Sequence, residues 1–304
     1  MKKLALVLLL ALTITGVALT KGMTNPPLNA RECKMLLAPG RFQNRDAGTQ
    51  QFVDLLTALC KKQGIKATFQ LYEEGSPRLV SFLDTPGLEL YPKSFILRRR
   101  QYAEIEKHVK VKKANDKFEL TMKFRNLDPT VVIAAEILPA PGYKSKVSFE
   151  EKVLIRDTSI DKVYDYSAKV TLDKKPGDTL QDYATVYPGL QKTGVSPSSK
   201  IKRVNDIKVV EYSREIGTID FTRGVFATVE MAVWYKEGES KPLIAEFSYK
   251  YKLKGGEPTN TTIYSSGQKS DDFGAALQKA AKDWIAVGVS KTGLIYQISG
   301  PDQD

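Results

Sequence analysis

The residues best suited to chemistry in this chain lie between Phe82 and Arg100, together with Leu120–Lys123. The runs Leu97-Arg98-Arg99-Arg100 and Leu120-Thr121-Met122-Lys123 have the period of β-strands, so each gathers cations on one face of a sheet. That pattern points to a cationic groove or tunnel built on strands. The carboxylates that would turn such a tunnel into a metal enzyme are only partly present. Other chemistries lack their parts. The single histidine, His108, lies in a Lys-rich stretch between strands and reads as solvated. One His and two separated Cys give no thiolate–imidazole metal site, and nothing supports a nucleophilic triad through His108. Asp84, two residues before Pro86, reads as the start of a turn.

The elements that must position these residues are mostly strands. Strand-like runs occur at Arg31–Leu37, Ala67–Tyr72, Leu79–Leu83, Phe95–Gln101, Phe118–Arg125, Lys146–Val153 and Tyr164–Leu172. They resume at Ile207–Tyr212, Gly217–Phe221, Phe226–Tyr235 and Leu243–Leu253. Gly48–Gly64 predicts a helix, with Phe52, Leu55, Leu56, Leu59 and Cys60 at helical spacing and Gly64 placed to end it. Asp173–Ser199, rich in Gly, Pro, Ser and Asp, reads mainly as loops, and Gly255–Gly267 as a polar loop. Ser270 is placed to cap a last helix from Asp271 to about Ala286, with Phe273, Leu277, Ala280 and Trp284 as its apolar stripe.

Two alternations are clean. Phe118, Leu120, Met122 and Phe124 oppose Glu119, Thr121, Lys123 and Arg125; Leu243, Ala245, Phe247, Tyr249, Tyr251 and Leu253 oppose Ile244, Glu246, Ser248, Lys250 and Lys252. Periodicity alone fits either an open sheet with its charged face in water or a closed sheet with helices outside and a wet, charged interior. The expected class is α+β, mainly antiparallel β.

Length and composition set the wider frame. Lys2 and Lys3 precede an apolar run from Leu4 to about Leu12, followed by small residues, which predicts a signal peptide over 1–18. That run is short for a membrane span. Residues 19–29 read as a linker and 30–304 as a single domain. Without Lys2 and Lys3 the formal net charge of +11 becomes +9, an excess that favours anionic partners. No nucleic-acid motif is evident, and no transmembrane segment is expected after signal cleavage. The expected location is periplasmic or secreted.

The order of strand, helix, Asp84-Thr85-Pro86 segment, Arg-rich strand and Leu-Thr-x-Lys strand resembles the CYTH superfamily, the triphosphate tunnel metalloenzymes. The resemblance spans about residues 30–253 and implies a closed tunnel barrel with flanking helices. Ala30-Arg31-Glu32-Cys33-Lys34 is similar to the family's Glu-x-Glu-x-Lys strand, with Ala30 in place of the first Glu. The resemblance implies that Lys34, Arg98, Arg100 and Lys123 bind the ligand, since triphosphate needs converging cations and the arginine fork donates paired hydrogen bonds to phosphate. Arg99 would face away. Glu32, Glu119, Glu150 and Glu246 are the implied metal ligands for Mg²⁺ or Mn²⁺. Ala30, Ser148, Ser248 and Lys250 remove or invert charge where the family tends to place carboxylates.

Within that tunnel Cys33 would face outward, and Cys60 lies on the stripe of the first helix. If that helix packs outside the barrel, both thiols enter one layer, and a Cys33–Cys60 disulfide is expected; the alternative is two buried thiols acting as small apolar residues. The functional expectation is an exported CYTH-like protein that binds a polyanionic or phosphorylated ligand, such as polyphosphate, in a basic tunnel without efficient catalysis. Two alternatives stand beside it: a metal-dependent triphosphatase of the cell envelope, and a structural or interaction protein of the periplasm.

Overall fold

The computed structural model describes residues 28–106, 109–222, 225–253 and 261–297. The expected signal peptide, nearly all of the linker, and His108 lie outside the described residues.

Twelve strands form one sheet, mostly antiparallel. In chain order they are β1 (Ala30–Leu37), β2 (Lys66–Phe69), β3 (Arg78–Asp84), β4 (Phe95–Ile105), β5 (Val111–Ala114), β6 (Phe118–Asn126), β7 (Ser145–Ile155), β8 (Ile160–Leu172), β9 (Lys202–Arg203), β10 (Val209–Thr222), β11 (Val225–Lys236) and β12 (Pro242–Lys252). Among the described residues five α-helices accompany them: α1 (Arg45–Gln63), α2 (Pro129–Ile133), α3 (Leu180–Ala184), α4 (Thr261–Ala280) and α5 (Lys291–Tyr296).

Nine strands close on themselves in the order β10-β11-β12-β1-β7-β8-β6-β4-β3, with β3 returning to β10. The closing seam has three residue pairs, Val209↔Val80, Val210↔Leu79 and Glu211↔Arg78. The two segments expected as separate strands at 207–212 and 217–221 are one long strand, β10, which pairs with β3 in its first part and β2 in its last. A register shift between Glu215 and Gly217 separates the two. Gly217 sits at φ +137°, and a Cβ there would come within 2.1 Å of the Thr68 carbonyl oxygen, so only glycine lets β2 dock at that bulge. The β1–β7 pair is parallel.

Outside the ring lie two apolar layers on different strands. α1 and α4 cover β10, β11, β12 and β1, burying Phe52, Leu56, Phe247, Tyr249, Phe273 and Leu277 together. α1 begins at Asn44, whose side chain accepts from the Ala47 amide, and ends at Gly64, which is left-handed. The second layer covers β4, β6 and β8 and corrects the reading of Asp173–Ser199 as loop. α3, capped by a reciprocal Thr179–Asp182 box, and the 3-10 turn Pro188–Thr193 bury Leu180, Tyr183, Tyr187 and Leu190 against Leu97, Leu120, Met122 and Ala168. The Tyr187 hydroxyl sits 2.8 Å from the Leu120 carbonyl and 2.9 Å from that of Ala168, fastening this cover across β6 and β8.

Two further expectations are corrected. α4 starts at Thr261, so the expected polar loop is partly helix, and Ser270 is a buried mid-helix residue rather than a cap. The polar first half of α4 is held by Arg31, which donates to the Gly267 carbonyl at 3.1 Å and to Asp271 at 2.6 Å. Cys33 and Cys60 do enter one apolar layer, yet both are free, buried thiols. The Cys33 sulfur lies 3.6 Å from Ser270 Oγ, so it faces α4 rather than the α1 end that carries Cys60. Burial pushes both thiols up to about 11.

Candidate functional site

With the outer faces covered, the alternate residues of each ring strand point into the ring. β1 sends in Glu32 and Lys34, β4 sends in Arg98 and Arg100, and β6 sends in Lys123 and Arg125. From β7 come Glu150 and Lys152, from β8 Asp165, and from β12 Glu246. Toward the rim where β1 ends at Leu37, all of these side chains except Glu32 and Glu150 line a cavity of about 430 Å³. Lys34, Arg98, Arg100 and Lys123 all line it, so the structure brings the four expected ligand-binding cations together. Arg99 points outward, its guanidinium 4.2 Å above the Phe118 ring.

Eight cationic and four carboxylate side chains line the cavity. Lys34 is shared between Glu32 at 3.5 Å and Glu246 at 3.4 Å. Lys123 Nζ sits 2.7 Å from Asp165, and Arg125 reaches the same carboxylate at 3.7 Å. Arg100 lies 3.2 Å from Glu211, which also takes Arg78 at 2.7 Å and the Trp234 indole N–H at 2.8 Å. Arg98 differs in forming no ion pair among the described residues; its buried Nε, like that of Arg100, has no hydrogen-bond partner. Burial, with the neighbouring Arg100, pulls the Arg98 guanidinium down to about 9. Burial also brings Lys123 down to about 7, helped by Arg98 and Lys152 and opposed by Asp165. These two groups sit where positive charge is in excess and an added anion would relieve it.

The four expected metal ligands do not form one cluster. Lys152 bridges Glu32 and Glu150, and Lys250 adds a contact to Glu150 at 2.6 Å. Although burial opposes ionisation, Lys152 and Lys250 hold the Glu150 carboxyl down at about 2, and Lys152 and Lys34 keep Glu32 well below the usual range. Glu246 is taken by Lys34 and by Lys291 at 3.1 Å. Glu119 pairs with Lys169 and does not line the cavity. A hard dication needs carboxylate oxygens free to coordinate; here ammonium groups already hold them. Among the described residues no group of three or more His, Cys, Asp or Glu could hold a metal ion. Among the described residues these carboxylates form no ready-made site for Mg²⁺ or Mn²⁺.

Sequence reasoning missed Lys152, Asp165, Glu211 and Lys291. Lys152 continues the alternation Ser148, Glu150 on β7, and Asp165 lies on the inward face of β8, so extending the period-two reading would have found both. Lys291 carried no such signal. It arrives from the segment after α4, where Ser290 caps α5 and sends Lys291 Nζ to 4.1 Å from the Trp234 ring. Asp84, read as a turn residue, accepts from the amides of Thr85, Leu90 and Tyr91.

No family model matches the chain, and no curated protein does. Among solved structures, HpAC1 of Hippeastrum, described as an adenylyl cyclase candidate with a dominant triphosphatase activity, aligns at 12% identity and a TM-score of 0.43 over 91% of this chain and 99% of its own. An adenylate cyclase candidate from Bacillus halodurans aligns at 10% identity and 0.36, covering 86% and 93%. The PH1819 protein of Pyrococcus horikoshii aligns at 12% identity and 0.32, covering 81% and 89%. What those proteins bind or hydrolyse is a property of those proteins.

Proposed function

We propose that this chain is a triphosphate-tunnel-like protein that has become an anion-binding module, exported from the cell. It takes a polyanionic or phosphorylated ligand in the cationic cavity and does not hydrolyse it efficiently. The observation that carries this reading is Arg98, a cation without an ion-pair partner among the described residues, in a cavity lined by twice as many cations as carboxylates. Arg98 and Arg100 would offer planar forks to phosphate oxygens, and Lys34 and Lys123 would add point charges. Phosphoryl transfer asks for more, chiefly a group that orients the nucleophile and neutralises developing charge on the leaving oxygen. The carboxylates that would hold a metal for that purpose are engaged by lysines instead.

A second reading has an observation of its own. The Lys152–Glu32–Glu150 and Glu211–Arg78–Arg100 groups are already satisfied ion networks, and such networks could hold the ring open with no ligand. One experiment separates the readings. Thermal unfolding is followed with tripolyphosphate in EDTA, then with Mg²⁺ or Mn²⁺, while phosphate release is measured in the same tubes. A ligand that binds only the folded state must raise the midpoint. A rise in EDTA without phosphate release is the expected result. Metal-dependent release would establish a hydrolase instead, and no shift under any condition would leave the structural reading.

A further inference from the structure

The inward face of the ring changes character along its length. Toward the Ala30 end of β1 it is charged. Toward the opposite rim the next inward position of six strands turns apolar: Leu36 on β1, Leu154 on β7, Ile96 on β4, Phe82 on β3, Ile244 on β12 and Trp234 on β11. These six form an arc beside Lys34, Lys152, Arg98 and Glu246, open at β6 and β8, where Lys123 pairs across from Ile96 and Asp161 across from Leu154. Part of the arc is structural, because Phe82, Ile96, Ile244 and Trp234 pack in one core with Ile295 and Tyr296 of α5. Leu36 and Leu154, by contrast, keep partly exposed side chains at the cavity, and Leu154 is not part of that core. Above them the segment before α5 adds Ala286, Val289 and Val287, the last 67% exposed.

The cavity therefore has a cationic floor and, on one side of its upper wall, an apolar patch, which faces the polar turn 156–161 and Lys291. An inorganic polyphosphate would leave that patch in contact with water. Resting on the anion-binding reading above, we infer that the ligand is an amphiphilic anion, a diphosphate ester with a short alkyl or prenyl chain, its charged head on Arg98 and Lys123 and its chain against Leu36, Leu154 and Val287. The excess of cations suits a diphosphate head better than a single carboxylate, and a cavity of about 430 Å³ is of the size that encloses a small molecule. The chain adds affinity by leaving water, roughly tenfold for every two methylene groups fully buried.

The test is calorimetric titration of the full chain in EDTA with three probes: pyrophosphate, geranyl diphosphate and geraniol. Geranyl diphosphate should bind at least tenfold more tightly than pyrophosphate, and geraniol should show no binding. Val287→Ser, an uncharged change at an exposed position that should not disturb folding, and Leu154→Ala should each weaken geranyl diphosphate several-fold and leave pyrophosphate unchanged. Equal affinity for pyrophosphate and geranyl diphosphate would overturn this inference while leaving the anion-binding reading intact. So would a preference untouched by both variants, or binding of geraniol as tight as that of its ester. If neither anion bound the folded protein, the anion-binding reading itself would fall.

Discussion

Lys152 and Arg98 lie in the same ring and answer to opposite physics. Lys152 is buried between two carboxylates, so replacing it leaves Glu32 with Lys34 and Glu150 with Lys250 as remaining partners, and an unbalanced pair of buried carboxylates. Lys152→Met should cost about 3–5 kcal/mol in denaturant unfolding, the usual result of breaking a buried ion pair from one side. Arg98 is a half-buried cation beside Arg100 with no ion-pair partner among the described residues, so Arg98→Met should leave stability unchanged or raise it while lowering tripolyphosphate affinity about tenfold or more, since one charge-assisted bidentate contact is lost. A ligand-free structural network would show no such separation. Lys123 supplies a pH signature. Its folded value of about 7 lies below the ordinary lysine value of 10.5, so between those limits the unfolded chain binds more protons than the folded one. This group then makes stability rise with pH across that window. An anion bound beside Lys123 draws its proton back. Tripolyphosphate binding at pH 8 should therefore be accompanied by proton uptake, seen as a heat that depends on the ionisation enthalpy of the buffer.

The elements show how far local pattern carries. Each strand face read from strict alternation is where it was expected: Leu120 and Met122 are fully buried under one cover, and Phe247 and Tyr249 under the other. α1 was legible because its apolar spacing and Gly64 agree. The cover over Asp173–Ser199 was not, because helices as short as α3 hold too few turns to show a period and their turn-forming composition resembles loop. Its apolar residues become intelligible only against β6 and β8. Tyr187 fastens that cover, so Tyr187→Phe should cost about 1–3 kcal/mol by leaving buried carbonyl groups short of a donor, measurable by urea unfolding. On the other side, the Cys33 and Cys60 thiols should react slowly with a thiol reagent in the native protein, and two should react on unfolding without reductant. A count of zero would restore the disulfide.

At the scale of the molecule, ring closure is concentrated in one short seam. β3 and β10 share only three residue pairs, and Glu211 is gripped there by Arg78 and Arg100. Glu211→Gln keeps an acceptor for the Trp234 indole but leaves two arginines facing each other. It should cost about 3–5 kcal/mol and raise amide exchange first in β3 and the start of β10. Exchange that rises evenly round the ring would show that the seam is no weaker than the rest.

The sequence by itself determined most of the strands, their two faces, and which cations share one side of a strand, because a period of two is a local property of the chain. It also placed Ala30, Ser148 and Ser248 where the resemblance implied carboxylates. Tertiary structure alone decided which charges neutralise which. Lys152 meets Glu32 only because β1 and β7 run parallel in that register, and Lys291 reaches Glu246 only because the segment after α4 folds over the rim. Contacts of that kind join residues far apart in the chain, and Coulomb attraction depends on distance in space, not on spacing in sequence. The same closure left Arg98 without an ion-pair partner among the described residues, and the proposed site follows from it.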